Sequence, residues 1–176
     1  VNEVKVVVNS IHSEYLDKEN ISKKLGQLDG IIVAPGFGQR GLDGKILAVE
    51  YARKNKIPFL GICLGMQMAV IEYARNVKKI RYANSTEISE KCKDPVIDLM
   101  ISQKEIVNKG GTMRLGAWDC EIQKKTNSYN AYKKKLVSER HRHRYEFNNN
   151  YSKRIFDDKF IVSGYNPETK LVEIVE

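Results

Sequence analysis

Between Asp29 and Arg75, two short apolar runs alternate with two segments of helical period, and this alternation restricts the fold more than any other feature. "DGIIVAPG" (Asp29 to Gly36) reads as a buried strand stopped by Pro35-Gly36. From Leu42 to Asn55, Leu42, Ile46 and Val49 recur at helical spacing, and "NKIP" ends that helix. "PFLGI" is a further strand; Leu64, Met68 and Ile71 then mark the apolar face of a helix running to about Arg75. Ahead of these lies Val4 to Val8, a β-branched run that predicts another buried strand. Strands joined through helices need right-handed crossovers, hence a parallel sheet with helices on both faces.

The second half changes character. "TMRLGAWDCEI" (Thr112 to Ile122), "KLVSERHRHRYEFN" (Lys135 to Asn148), "KFIVSGY" (Lys159 to Tyr165) and "LVEIVE" (Leu171 to Glu176) read as strands, with "NPETK" a turn between the last two. The expected architecture is therefore α/β: a mostly parallel sheet flanked by helices, with an added antiparallel β section. The last strand reaches Glu176 without a cap or polar tail, and the chain opens on Val1, so both ends read as cut.

A chain of 176 residues fits one domain with its own core. Hydrophobic residues at 41% and charged residues at 30% place it among globular rather than disordered chains. No apolar stretch approaches the roughly 20 residues of a membrane helix, and no secretory signal is visible. Cys63, Cys92 and Cys120 are odd in number and form no C-x-x-C, so neither a disulfide frame nor a metal site is expected, and the natural compartment is the cytoplasm. The net charge of +8 is spread over Lys23-Lys24, Lys78-Lys79, Lys124-Lys125 and Lys133 to Lys135. Such runs coat solvated faces, and no nucleic-acid motif accompanies them.

The chemistry concentrates at "PFLGICLGMQ". Gly61-x-Cys63-x-Gly65 between strand and helix has the form of a nucleophile elbow, with glycines where neighbouring side chains would collide. The helix that follows aims its N-terminal N–H groups at the thiol, which is expected to favour the thiolate, and the Leu64 N–H can serve an oxyanion. The bland reading is a small residue packed between strand and helix. "APGFGQRG" (Ala34 to Gly41) follows the other parallel strand at the same carboxyl edge, where such sheets bind ligands. Its Gly36 N–H is a candidate second oxyanion donor, although the loop also reads as an ordinary turn.

"GICLGMQ", "PGFGQRG", "YANSTE" (Tyr82 to Glu87), "GGTMRLG" (Gly110 to Gly116) and "ERHRHRYEFN" (Glu139 to Asn148) together resemble the class I, flavodoxin-like glutamine amidotransferase domain of the CTP synthase family, in matching order across nearly the whole chain. The resemblance implies that Cys63 attacks the side-chain amide of L-glutamine, with Gly36 and Leu64 as oxyanion donors. It implies that Gly36, Leu64, Gly65, Met66, Gln67, Glu87 and Arg144 hold the substrate. Phe37, Arg40 and Gly41 match a segment tied to activation by GTP. A guanidinium suits an α-carboxylate and a carboxylate suits an α-ammonium, although Glu87 and Arg144 taken singly also read as ordinary surface polar residues.

Family members pass ammonia to a synthase domain that aminates UTP using ATP and Mg2+. The resemblance thus implies no cofactor or metal in this domain, a synthase domain on the same polypeptide, a homotetramer, and neither membrane nor nucleic-acid partners. Two departures stand out. The loop reads Ala34-Pro35-Gly36 where the family has P-G-G, and Pro35 has no N–H to give. The family's catalytic His and Glu occupy an H-P-E stretch beyond "LVEIVE"; His12 reads as a loop residue, and His141 and His143 match the family's R-H-R-H-R run instead. The 176 residues are therefore expected to form one amidotransferase domain, incomplete at both ends and without turnover of its own. The competing readings are another elbow-cysteine hydrolase, of γ-glutamyl hydrolase or cysteine peptidase type, and a non-catalytic nucleotide or nucleic-acid binding module.

Overall fold

The computed structural model describes residues 2–99 and 113–176. Its elements are α1 (Ile21–Leu25), β1 (Ile31–Val33), α2 (Leu42–Asn55), β2 (Phe59–Gly61), α3 (Leu64–Asn76), β3 (Ala83–Ser85), β4 (Asp94–Leu99), β5 (Arg114–Ile122), α4 (Asn127–Tyr132), β6 (Leu136–His143), β7 (Tyr145–Phe147), α5 (Ser152–Ile155), β8 (Val162–Tyr165) and β9 (Val172–Val175). Gly110 to Thr112 of "GGTMRLG" lie outside the described residues.

The fold is α/β, as the alternation predicts, with mixed and antiparallel strands. β1 pairs parallel with β2, Ile31 opposite Phe59 and Val33 opposite Gly61. β3 and β4 are also parallel, and β7 closes that sheet antiparallel to β4. The third sheet, in the order β6-β5-β8-β9, is antiparallel throughout. Its β8–β9 turn is built on Asn166, whose side-chain oxygen accepts the N–H groups of Glu168 and Thr169.

Helix α3 runs through the core. Met68, Val70, Ile71 and Ala74 are wholly buried, and burying each of the three larger side chains contributes roughly 1.5–3 kcal/mol. Glu72 is buried with them and receives two hydrogen bonds from Arg53 of α2, at 2.9 and 2.5 Å, and a third from Asn76 at 3.0 Å. This ion pair fixes the α2–α3 crossing that carries the elbow.

Two expectations need correction. Val4 to Val8 forms no strand: the segment joins no ladder among the described residues, and Val4, Val6, Val7 and Val8 are exposed. β-branched residues favour strands through cross-strand neighbours; without them the run stays extended in solvent. The single strand expected over Lys135 to Asn148 is two strands in different sheets, β6 on β5 and β7 on β4, with the break at Arg144.

Replacing Arg53 by Met leaves Glu72 buried without its cation and should lower unfolding free energy by about 3–5 kcal/mol. Urea denaturation measures this, and the double variant Arg53→Met/Glu72→Met should recover most of the loss.

Candidate active site

The elbow follows from backbone crowding. Ile62 N–H extends the β1–β2 ladder to the Val33 carbonyl at 3.0 Å, and the Gly65 N–H turns back to the Ile62 carbonyl at 2.9 Å. Between them Cys63 is forced to φ 55°, ψ −107°, a conformation L-residues avoid. The glycines are required by contact: a Cβ on Gly61 would lie 2.6 Å from the Gly65 carbonyl carbon, and one on Gly65 would overlap the Val33 carbonyl oxygen.

Cys63 is half-buried, and the backbone N–H groups of Leu64 and Gly36 each favour the charged form of its sulfur. A Cβ on Gly36 would sit 3.3 Å from Leu64 Cδ2 and 3.3 Å from Lys45 Nζ. The thiol is not depressed, contrary to the expectation from the helix N-terminus. Burial raises it most, the Leu64 N–H opposes this, Glu87 and Glu146 raise it further, and the Gly36 N–H lowers it. Burial and two facing carboxylates outweigh the donors. Cys120, wholly buried, is pushed by burial up to about 12.

The expected substrate-holding residues stand on different elements, and of them Met66 and Gln67 line the cleft that holds Cys63. Gln67 on α3 is buried; its Nε2 donates to the Tyr145 carbonyl at 3.1 Å, and its Oε1 is without a hydrogen-bond partner among the described residues. Glu87, after β3, is half-buried and accepts the Gly38 N–H at 3.0 Å. Arg144 is half-buried at the β6–β7 break, and the Tyr145 phenol lies in the fields of both Glu87 and Arg144. Gly65 and Met66 form the first turn of α3, Gly65 buried and Met66 partly so. Phe37 is 89% exposed, Arg40 pairs with Glu14 at 2.7 Å, and Gly41 takes φ 69° as the cap of α2.

Sequence reasoning missed a buried charged cluster beside these residues. Arg114 on β5 bridges Glu146 on β7 at 3.2 Å and Glu173 on β9 at 2.7 Å. His141 Nδ1 and His143 Nε2 share one hydrogen bond at 2.7 Å, and His143 Nδ1 lies 3.4 Å from Glu146 Oε1. Burial, then His141 and Arg114, hold His143 down at about 4, whereas burial lifts Glu146 to about 7 against the pull of Arg114. Only the period-2 placement of His141 and His143 on one face of β6 could have signalled this. Cys63, Gln67, His143, Glu146 and Glu173 all line one cleft of about 1450 Å³. Among the described residues no group of His, Cys, Asp or Glu is arranged to hold a metal, and no helix is long and apolar enough to cross a membrane.

Chemically, the elbow offers a strained thiol with the Leu64 and Gly36 N–H groups favouring its charge, and Gln67 Oε1 stands in the same cleft without a partner among the described residues. That set suits acyl transfer.

The two buried titrations oppose each other. His143, neutral in the fold, costs stability as pH falls from 6.5 toward 4, because the unfolded chain binds the proton first. Glu146, protonated in the fold, contributes stability that is lost as pH rises from 4.5 toward 7. Urea unfolding across that range should therefore show stability rising with pH in Glu146→Gln and falling more steeply in His143→Gln, by roughly 3 kcal/mol in each direction.

The glutamine amidotransferase class-I family matches residues 1–176. A CTP synthase of Flavobacterium johnsoniae is 58% identical over 99% of this chain and 33% of its own length. One from Clostridium acetobutylicum is 55% identical over the same shares. This chain thus spans about a third of these curated relatives. Among solved structures, the glutaminase domain of Trypanosoma brucei CTPS with bound acivicin superposes with a TM-score of 0.90 at 39% identity, covering 98% of this chain and 68% of that one.

Proposed function

This chain belongs to the class I glutamine amidotransferase family, in its CTP synthase branch, and we propose that Cys63 performs the glutaminase half of CTP synthesis. The observation that carries this reading is the convergence on one strained cysteine of the Gly36 and Leu64 N–H groups. Sγ attacks Cδ of L-glutamine; the carbonyl oxygen moves its charge into the hole formed by those two donors. Collapse breaks the C–N bond, ammonia leaves with an added proton, and water then cleaves the thioester to glutamate. Gln67, Glu87 and Arg144 hold the substrate with the backbone of Gly65 and Met66: Glu87 takes the α-ammonium, Arg144 the α-carboxylate. Binding of acivicin by the T. brucei domain supports a small-molecule site in this fold.

The rest follows the family. The synthase domain of the same polypeptide takes the ammonia and aminates UTP with ATP and Mg2+, and this domain needs no cofactor. GTP acts through the exposed Phe37, Arg40 and Gly41 loop. The whole is a cytoplasmic homotetramer. By the family's chemistry, a histidine–glutamate pair protonates the leaving ammonia and activates water against the thioester.

Arg144→Ala in the intact polypeptide should weaken glutamine use by about 2–4 kcal/mol in kcat/KM, while CTP formation from free ammonia barely changes. Equal loss of both activities would make Arg144 structural and count against the site. A glutamine-like electrophile should label Cys63 ahead of Cys92 and Cys120, read by peptide mass. Preferential labelling of Cys120 would overturn the assignment.

A further inference from the structure

A continuous line of contacts joins the Cys63 elbow to the buried charge cluster. The Gln67 backbone N–H donates to the Cys63 carbonyl at 3.2 Å, so the Gln67 side chain leaves α3 one turn after the nucleophile. Its Nε2 donates to the Tyr145 carbonyl at 3.1 Å. A carbonyl only accepts, so the nitrogen end of the amide is fixed there and Oε1 is the end left over. Gln67 is 6% exposed and lines the cleft with Cys63, and its Oε1 has no partner among the described residues. A buried acceptor in that state costs free energy until a donor reaches it. The Tyr145 carbonyl shares one planar peptide unit with the Glu146 N–H, so whatever holds Glu146 also aims that carbonyl. Glu146 Oε1 accepts from Arg114 Nη1 at 3.2 Å, while Arg114 Nη2 is held by Glu173 Oε1 at 2.7 Å. Arg114 and Glu146 are both buried, on β5 and β7, and their pair ties the antiparallel sheet to the mixed one.

We propose that Glu146 is a positioning residue for the glutaminase site: anchored by Arg114, it aims the Tyr145 carbonyl at Gln67 Nε2 and so turns Gln67 Oε1 to receive an N–H of bound L-glutamine. The proposal rests on the reading of the site as a glutamine pocket. Glu146 acts here through Tyr145 and Gln67, not on the substrate itself. The anchor requires reach and an acceptor oxygen rather than a negative charge. Burial lifts Glu146 to about 7, so near neutrality its carboxyl is divided between charged and neutral forms, and either form offers Arg114 an oxygen. The groups facing it are Arg114 of β5, His143 of β6 and Glu173 of β9. Without the anchor the Gln67 amide loses its fixed end and is free to turn its NH2 toward the substrate, donor against donor. That loss falls on binding. The elbow itself is set by the backbone contacts of Ile62 with Val33 and of Gly65 with Ile62, which do not pass through β7.

The test is steady-state hydrolysis of L-glutamine by the intact polypeptide, with kcat and KM taken separately. Glu146→Leu, which keeps bulk but removes the acceptor, should raise KM about tenfold and leave kcat within about twofold of the wild type. Glu146→Gln keeps length and acceptor without the charge, and should hold KM within about threefold of the wild type. Glu146→Asp keeps the charge but falls one methylene short of Arg114. It should raise KM as Glu146→Leu does, and it carries the test if the leucine variant fails to fold. Gln67→Ala should raise KM by a similar factor, and Gln67→Ala/Glu146→Asp should be no worse than Gln67→Ala alone, because both changes break one line of contacts. An unmoved KM in Glu146→Asp, or a double variant whose losses multiply, overturns the proposal. So does a Glu146→Gln variant as impaired as Glu146→Asp, which would assign the effect to charge. Glutamine hydrolysis that survives Cys63→Ser overturns the glutamine reading and this proposal with it. Hydrolysis lost in Cys63→Ser, beside an unmoved KM in Glu146→Asp, overturns this proposal alone.

Discussion

Everything at this site depends on how closely the first turn of α3 approaches the end of β1. Gly65 lies against the Val33 carbonyl, and Gly61 lies against Gly65, so two backbones meet where side chains would hold them apart. That approach leaves the residue between them a single path, with φ positive and the side chain thrown clear of the sheet. Helix α3 is held in place by a wholly buried apolar face and by the Arg53–Glu72 pair. The strain of about 1–3 kcal/mol at Cys63 is thus carried by packing elsewhere.

The second constraint is electrostatic. A thiol at a helix N-terminus with two N–H donors is ordinarily favoured as the thiolate, yet here burial and carboxylates prevail. The carboxylates arrive from outside the elbow, Glu87 behind β3 and Glu146 on β7. The latter belongs to a cluster that joins β5, β6, β7 and β9 through Arg114 and the two histidines. This cluster locks the antiparallel section to the mixed sheet at the point where the chain leaves β6 and enters β7. Arg144 sits at that point, so its placement follows from the change of sheet.

Much of the fold was legible in the sequence where one element carries its own signal. The helical period from Leu42 ends at Asn55, as the "NKIP" sequence predicts, and the Cys63 elbow needs only its two glycines to be recognised. The approach of Gly36 and Leu64 to Cys63 was legible as well, since parallel strands bring their carboxyl-end loops to one edge. Val4 to Val8 was misread because strand propensity is a property of neighbours as much as of residues. The break at Arg144 was hidden because both sides of it are extended, and no local signal marks a change of partner strand.

The sequence alone thus determined the α/β class, the elbow and the cysteine at its tip, because periodicity, glycine spacing and turn residues act over a few positions. Only the tertiary structure decided the protonation balance of Cys63, the pairing of Arg114 with Glu146 and Glu173, and the seating of Glu87 on the Gly36–Gly41 loop. Those depend on charges tens of residues apart in the chain brought together out of water, where burial magnifies each interaction and leaves no trace in local pattern.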